Sequence, residues 1–543
     1  MTVWTYASIW EAIANAIPHE MAIHQGQRTM SWREFDSAAN GLAAHLLAGG
    51  ISHQGKTAVY ARNCPEYLIA TYAALKISAV PFNVNYRYAS AEVAFLLQSG
   101  DAEAIVFDAE FAPILQPVRA LIPQVKEWIA FASPGNPVPD WATDLMTIAV
   151  QEDVPQAPWP RSEDDLLFIF TGGTTGMPKA VMWRQGDLLA RGNYGANPLS
   201  GLLPLESPEA AGERAKAAPT PSRSIIAPPL MHGTGMIGAF TALINGGGVL
   251  LTSDGQFSPE AVWDLVDEFH ASRLIIVGQP FAQPLLETLD ANPGRWNLGS
   301  MRFMGSSGAM WSIENKRGLL SHMPQLSIID SFSSSEAFGL GVSTTTCDAQ
   351  AETAQFVLGP DCAVFAENGR RIEPGSSESG KVAVGGPIPL GYYGDIAKTA
   401  AIFVELEGCR WSMPGDWATV AADGTLTLLG RGSQCINTGG EKVFPEEVEE
   451  ALKRHPAVRD AAISGLPDPR FGERVAALAE LHGECSADPA ELIAHVRGEL
   501  AAYKAPRHLL IVLKIPRAPN GKMDYAAVKT LLEAAFPEPK PNA

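Results

Sequence analysis

Residues 166–179 constrain this chain more than any other stretch. A short apolar run, Leu166-Leu167-Phe168-Ile169-Phe170, gives way to Thr171-Gly172-Gly173-Thr174-Thr175-Gly176-Met177-Pro178-Lys179. The run reads as a buried strand that ends in a loop. Its glycines let the backbone approach an anion closely, and its threonine hydroxyls and lysine supply donors. The loop therefore reads as a phosphate cradle, with an unspecialised glycine turn as the alternative. It is not the Walker A pattern, because no glycine directly precedes the lysine and no Ser or Thr follows it. A near-miss to that pattern occurs at Gly375-Ser-Ser-Glu-Ser-Gly380-Lys381-Val382. Val382 has no hydroxyl to offer a metal and Lys381 opens an apolar strand, so this second site reads as a surface turn.

The cradle must sit in a chain of 543 residues, too long for one core, so more than one domain is expected. Hydrophobic content of 46% with 18% charged residues suits a packed globular protein. A formal charge of −19 argues against nucleic acid as a partner, because phosphate backbones need basic patches. ATP needs only a local cradle, so the overall charge does not oppose it. Cys64, Cys347, Cys362, Cys409, Cys435 and Cys485 show no CxxC spacing and read as reduced thiols of a cytoplasmic protein without a zinc site. The first residues lack a basic start and carry Glu11 inside their apolar part, so no signal peptide is expected. Residues 224–253 contain no Asp, Glu, Lys or Arg, but Pro228-Pro229, His232, Asn245 and Gly246-Gly247-Gly248 interrupt them. A strand, a buried helix and another strand explain that segment better than a membrane span.

Along the N-terminal third, strand and helix patterns alternate. Strands are predicted at Thr57–Tyr60, Val80–Val84 and Ala104–Phe107, and helices at Pro65–Leu75 and Ser90–Gln98. Such alternation predicts an α/β sheet with helices on its faces. Residues 133–160 and 195–222 read as surface connections or insertions. Composition changes near 430. Beyond it, Pro445 can start a helix whose first turn holds Glu446-Glu447 and whose last holds Lys453-Arg454, complementing the helix dipole. Strands near Ala461–Ser464 and Val475–Leu478, a helix near 489–501 and a strand near Leu509–Leu513 follow.

Further motifs succeed the cradle in order. Gly305-Ser306-Ser307-Gly308-Ala309-Met310 is glycine-rich, and Asp330-Ser331-Phe332-Ser333-Ser334-Ser335-Glu336 follows it. Trp411-Ser412-Met413-Pro414-Gly415-Asp416 comes next, then Gly430-Arg431 with Gly439-Gly440-Glu441-Lys442-Val443, and finally Pro519-Asn520-Gly521-Lys522. This series, from near residue 10 to near residue 530, resembles the adenylate-forming (AMP-binding) superfamily, and within it the acyl-CoA synthetase branch. The resemblance implies an α/β fold: a large N-terminal adenylation domain (1–432) of α/β subdomains with layered sheets, and a small mobile α+β C-terminal domain (433–543).

It also implies a chemistry. A carboxylate is a poor electrophile, and joining it to AMP supplies a leaving group. The protein must hold carboxylate and α-phosphate together and stabilise charge as pyrophosphate departs. The resemblance gives Thr171, Gly172, Gly173, Thr174, Thr175, Gly176 and Lys179 to the β- and γ-phosphates, and Ser335 to a phosphate oxygen. Glu336 falls to Mg2+, a hard cation that takes few protein carboxylates plus phosphate oxygens. Gly308 and Ala309 fall beside adenine with Asp330, Ser331, Ser333 and Ser334, and Phe332 presents its ring to the base or belongs to the core. Asp416 is expected to accept the ribose hydroxyls, and Arg431 to contact ribose and phosphate. Lys522 resembles the lysine that bridges acyl carboxylate and α-phosphate. Gly439, Gly440 and Lys442 would reach the thiol channel after the small domain rotates, and His232 lies near the acyl and thiol pockets unless it is a packed core histidine.

The resemblance thus implies an ATP-dependent acid–CoA ligase with a carboxylic acid, ATP and CoA as its small-molecule partners. Neither the segment at His232 nor Val277-Gly278-Gln279-Pro280 carries a basic residue, so a mainly apolar acid is expected, fatty or steroid-like. The alternatives are loading of a carrier-protein phosphopantetheine, a luciferase-type oxygenase and a non-catalytic nucleotide-binding regulator. Glu336, Asp416, Arg431 and Lys522 together speak for catalysis. A homo-oligomer is left open.

Overall fold

The computed structural model describes residues 3–171, 178–196, 202–253, 255–349, 354–434, 436–438, 441–468, 472–483, 485–518 and 522–537. The alternation read in the N-terminal third builds the first of three sheets. Strands Lys56–Tyr60, Val80–Asn83 and Ala102–Asp108 run parallel, and Leu166–Thr171 joins them through Phe82 opposite Phe168. The helix Pro65–Lys76 between them is buried along its whole length, which explains its near-continuous apolar sequence. Its last residue, Lys76, is buried too, and its ammonium lies 2.8 Å from both Glu11 and Asp36, while Arg161 grips Glu11 with two 2.7 Å bonds. Glu11 is thus the shared anion of a buried network, where charges persist only when paired.

The second sheet positions the site. Its parallel strands Gly248–Leu251, Arg223–Ile226, Arg273–Ile276, Phe303–Ser307 and Ser327–Ser334 lie side by side in that order. Ala337–Thr345 then turns back antiparallel on Ser327–Ser334, and the sheet continues through Gln355–Leu358 and Thr425–Arg431 to Asp416–Val420. The charge-free stretch 224–253 forms strand Arg223–Ile226, helix Gly233–Ile244 and strand Gly248–Leu251, as expected. Among the described residues no helix is long and apolar enough to cross a membrane. Lys381 sits in strand Gly380–Val384, so the Walker-like segment leads into a sheet and not into a helix.

The last strand of this large sheet ends at Arg431, and the first strand of the third, smaller sheet begins at Ile436. In the small unit, Val458–Asp468 and Gly472–Leu481 form a long antiparallel hairpin, with His508–Val512 parallel to the second arm. Both arms extend beyond the short strands expected from sequence. Gly465 and Pro467 look like breaks in the sequence, yet they stand in register with Val475 and Glu473. Residues 195–222, expected as a surface connection or insertion, contain a helix, Pro208–Ala217, capped by Ser207. Its small residues are packing residues: a Cβ on Gly212 would lie 2.6 Å from the Ala12 carbonyl of the first helix, Tyr6–Ala16.

Candidate active site

The parallel strands of the second sheet line a cavity of about 470 Å³, from Ser224, Arg273 and Phe303 near their starts to Ser307 and Ser331 further along. Side chains alternate along a strand, so residues two apart share a face. Ile329, Ser331 and Ser333 accordingly line the cavity, together with Ser334, Ser335, Thr171, His232, Gly308 and Lys522. Phe332, between them, points the other way and packs in the core with its ring centroid 5.5 Å from that of Phe356. Of the two readings of that ring, its position is the core one. Asp330 also faces away, in an ion pair with Lys316 and accepting from the Trp311 indole.

The cradle's ends are cross-strand neighbours, Thr171 opposite Lys179, so strands Leu166–Thr171 and Lys179–Arg184 form a hairpin. Gly172, Gly173, Thr174, Thr175 and Gly176 lie outside the described residues. The Lys179 ammonium pairs with Asp395, the N-cap of helix Ile396–Ile402, and this hydrogen bond holds the Asp395 carboxyl below its usual range. Glu336 follows strand Ser327–Ser334 in the turn to the next strand. The Tyr392 hydroxyl donates to its Oε1 at 2.6 Å, and Ser412 fixes its backbone carbonyl at 2.6 Å.

Gly308 has φ of +90°, a conformation that favours glycine, and leaves strand Phe303–Ser307 into a crowded corner. A Cβ there would stand 3.6 Å from Thr234 Oγ1 and 3.7 Å from both Lys522 Cε and Val277 Cγ1. Ala309 follows, its carbonyl close against Gly278. Lys522 thus reaches the cavity from the small unit. It is held by the Arg517–Met523 bridge and by a 2.8 Å bond from Ala518 N to its own carbonyl, while Arg517 anchors to Asp460 at 2.6 Å. Arg459 of the small unit also meets Glu287 of the large one at 3.0 Å.

His232 caps the start of helix Gly233–Ile244 and contributes to the cavity wall. Its Nε2 is buried with no hydrogen-bond partner among the described residues. Burial pushes its imidazole down to about 4, and the nearby cations Lys522 and Arg87 act in the same direction. At neutral pH it is an uncharged ring. Asp416 opens strand Asp416–Val420, is buried, and stands directly opposite Arg431 in the neighbouring strand. The side chains of Arg431 and Lys442, and residues Gly439 and Gly440, lie outside what is described.

The structure therefore gathers Thr171, Ser331, Ser333, Ser334, Ser335, His232, Gly308 and Lys522 around one cavity. Lys179, Ala309, Asp330, Phe332, Glu336 and Asp416 do not line it. Arg273 and Ser224 are among the wall residues that the sequence does not single out. They sit in register on adjacent strands, and a sequence records no such pairing across distant segments.

A parallel sheet that lines a cavity, with a lysine from a second unit beside the carboxyl end of strand Phe303–Ser307, defines an α/β enzyme. The chain belongs to the AMP-binding enzyme family: residues 10–393 match the AMP-binding enzyme domain and residues 447–522 its C-terminal domain. It is 36% identical over 534 residues to a medium/long-chain-fatty-acid–CoA/3-oxocholest-4-en-26-oate–CoA ligase of Mycolicibacterium smegmatis, covering 97% of this chain and 96% of that protein. It is also 36% identical over 539 residues to a 3-oxocholest-4-en-26-oate–CoA ligase of Rhodococcus rhodochrous, covering 96% and 95%. Among solved structures, ATP-bound MatB from Rhodopseudomonas palustris shares the fold with a TM-score of 0.80 at 21% identity, over 99% of this chain and 100% of that one.

Proposed function

We propose that this protein is an ATP-dependent acid–CoA ligase that converts a mainly apolar carboxylic acid to acyl-AMP with release of pyrophosphate, then transfers the acyl group to CoA. The observation that carries the reading is the position of Lys522 at the mouth of an otherwise largely apolar cavity, beside Gly308 and Val277. A point charge there meets the acid's carboxylate and the α-phosphate at once, where negative charge accumulates during adenylation.

In this reading the acid's tail occupies the cavity. Its wall includes Ile237, Phe240, Ile275 and Ile329, which suits a fatty or steroid-type acid, the acids for which its relatives are named. Thr171 and Ser335 donate hydroxyls to phosphate oxygens, with Lys179 released from Asp395 to do the same. Asp416 accepts from the ribose, and Arg431 stands beside it. Glu336 fits Mg2+: it is one carboxylate, oriented by Tyr392, and among the described residues no cluster of His, Cys, Asp and Glu forms a cage of protein ligands. When bound, the ion would neutralise charge on the departing pyrophosphate. His232, neutral and beside Lys522, adds no positive charge to the acyl entrance. In the second half-reaction the segment carrying Gly439, Gly440 and Lys442 would serve the thiol. Cys64, Cys347, Cys362, Cys409 and Cys485 are free thiols, in keeping with action in the cytoplasm.

The test is product analysis. Purified enzyme given ATP, Mg2+, CoA and a panel of straight-chain and sterol-type acids yields AMP, pyrophosphate and acyl-CoA in equal amounts; ADP and phosphate in their place would refute the reading.

A further inference from the structure

The cavity wall is built in layers along the parallel strands. Val277, Ser307 and Ser331 lie near Lys522. Ile275, Gly305 and Ile329 form the next layer, and Arg273 with Phe303 and Ser224 the deepest. Val277 lies four residue steps beyond Arg273, which at about 3.3 Å per residue is roughly 13 Å of strand. An acid with its carboxyl at Lys522 therefore points its far end at Arg273.

That deepest layer is polar in an unusual way. The Arg273 guanidinium lies over the Phe303 ring, 4.5 Å from its centroid, and among the described residues no ion pair or hydrogen bond engages it. Burial depresses its pKa and no carboxylate offsets the effect. Ser224, in register with Arg273 on the neighbouring strand, is buried, and its Oγ has no hydrogen-bond partner among the described residues. The Ser224 hydroxyl is thus a buried donor without an acceptor among the described residues, and the half-buried Arg273 guanidinium lines the cavity beside it. A buried hydroxyl is costly unless partnered, and a ligand oxygen there would accept from Ser224 and from the neighbouring guanidinium together.

We propose that Arg273 and Ser224 recognise a hydrogen-bond-accepting oxygen at the end of the acid remote from the carboxyl being activated. This deepens the ligase reading and rests on it. A ring ketone, a terminal ketone and a second carboxylate all present such an oxygen. A cavity that supplies paired donors discriminates against an analogue lacking the acceptor, because the donors are then left unpaired. Arg273 and Ser224 act as specificity residues, while the reacting atoms stay at Lys522.

The experiment compares acids of equal length ending in a methyl group, a ketone or a carboxylate, by kcat/KM for CoA-dependent AMP release, in the wild type, Arg273→Met and Ser224→Ala. The wild type favours an oxygen-terminated acid over its methyl counterpart. Arg273→Met lowers that ratio by roughly ten- to a hundredfold, the worth of a hydrogen bond to a charged group. The ketone and carboxylate arms show which oxygen is preferred. Ser224→Ala lowers the same ratio and carries the test if Arg273→Met loses its circular dichroism. A ratio that neither substitution moves, with methyl-terminated acids activated well, overturns the assignment and leaves the ligase reading standing. No AMP from any acid overturns both.

Discussion

Substituting Gly238 with alanine tests the layered cavity directly. Gly238 lies within helix Gly233–Ile244 and forms part of the cavity wall. A Cβ there would stand 3.1 Å from both Cγ1 and Cγ2 of Ile275 and 3.4 Å from Ile226 Cδ1, so Ile275 must give by a few tenths of an ångström. Two effects oppose each other in stability. Alanine in a helix interior gains about 1 kcal/mol over glycine, and overpacking costs about 1–3 kcal/mol. The net change is a loss of at most about 2 kcal/mol, a shift of a few degrees in Tm for a chain this large. The effect on substrates is larger. Ile275 lies in the middle layer, between Lys522 and Arg273, so a methyl group at 238 narrows the passage to the deep end. One methylene's worth of space in an apolar pocket changes discrimination about 10–200-fold. For Gly238→Ala, kcat/KM across straight-chain acids of increasing length should fall steeply once the tail must pass Ile275, lowering the ratio of long to short acids by at least about tenfold. An unchanged chain-length profile in a folded variant would refute the route from Lys522 to Arg273.

Two further outcomes are expected. Asp416→Ala should weaken ATP binding, read by calorimetry, more than it alters the ranking of acids; unaltered ATP affinity would remove Asp416 from the ribose site. The second concerns His232, whose folded pKa of about 4 lies below the ordinary 6.5, so the unfolded chain binds the proton first as pH falls. Stability present above pH 6.5 is therefore lost between 6.5 and 4, by up to about 3 kcal/mol. His232→Phe should lose less over that window, and denaturant midpoints that fall in parallel for both proteins would contradict the burial argument.

Much of the fold was legible because apolar runs and punctuation agree locally. Helix Pro65–Lys76 and strand Leu166–Thr171 fall within a residue of their expected limits. Helix Pro208–Ala217 was not, because it lies in a Pro- and polar-rich stretch and has no broad apolar stripe; its contact with the first helix is made by small residues such as Gly212. At the site, Lys522 was legible from its turn and its motif. Arg273 was not: it opens an apolar strand, where an arginine reads as a solvated strand end. Only its register with Ser224, about fifty residues earlier in the chain, and with Phe303 turns it toward the cavity. Phe332 shows the converse. Its motif position suggested a ring on the base, but alternation along Ser327–Ser334 turns it to the core, where Phe356 packs against it.

The central claim is that Lys522, delivered by the small unit, drives the joining of acid to AMP and is not needed once that bond exists. Acid-dependent exchange of labelled pyrophosphate into ATP, measured for Lys522→Ala beside thioester formation from synthetic acyl-AMP and CoA, separates the two steps. The account predicts exchange reduced by at least about a hundredfold, the scale of losing one preorganised charge contact, with thioester formation retained. Exchange at the wild-type rate, or equal loss of both steps in a folded variant, would contradict it.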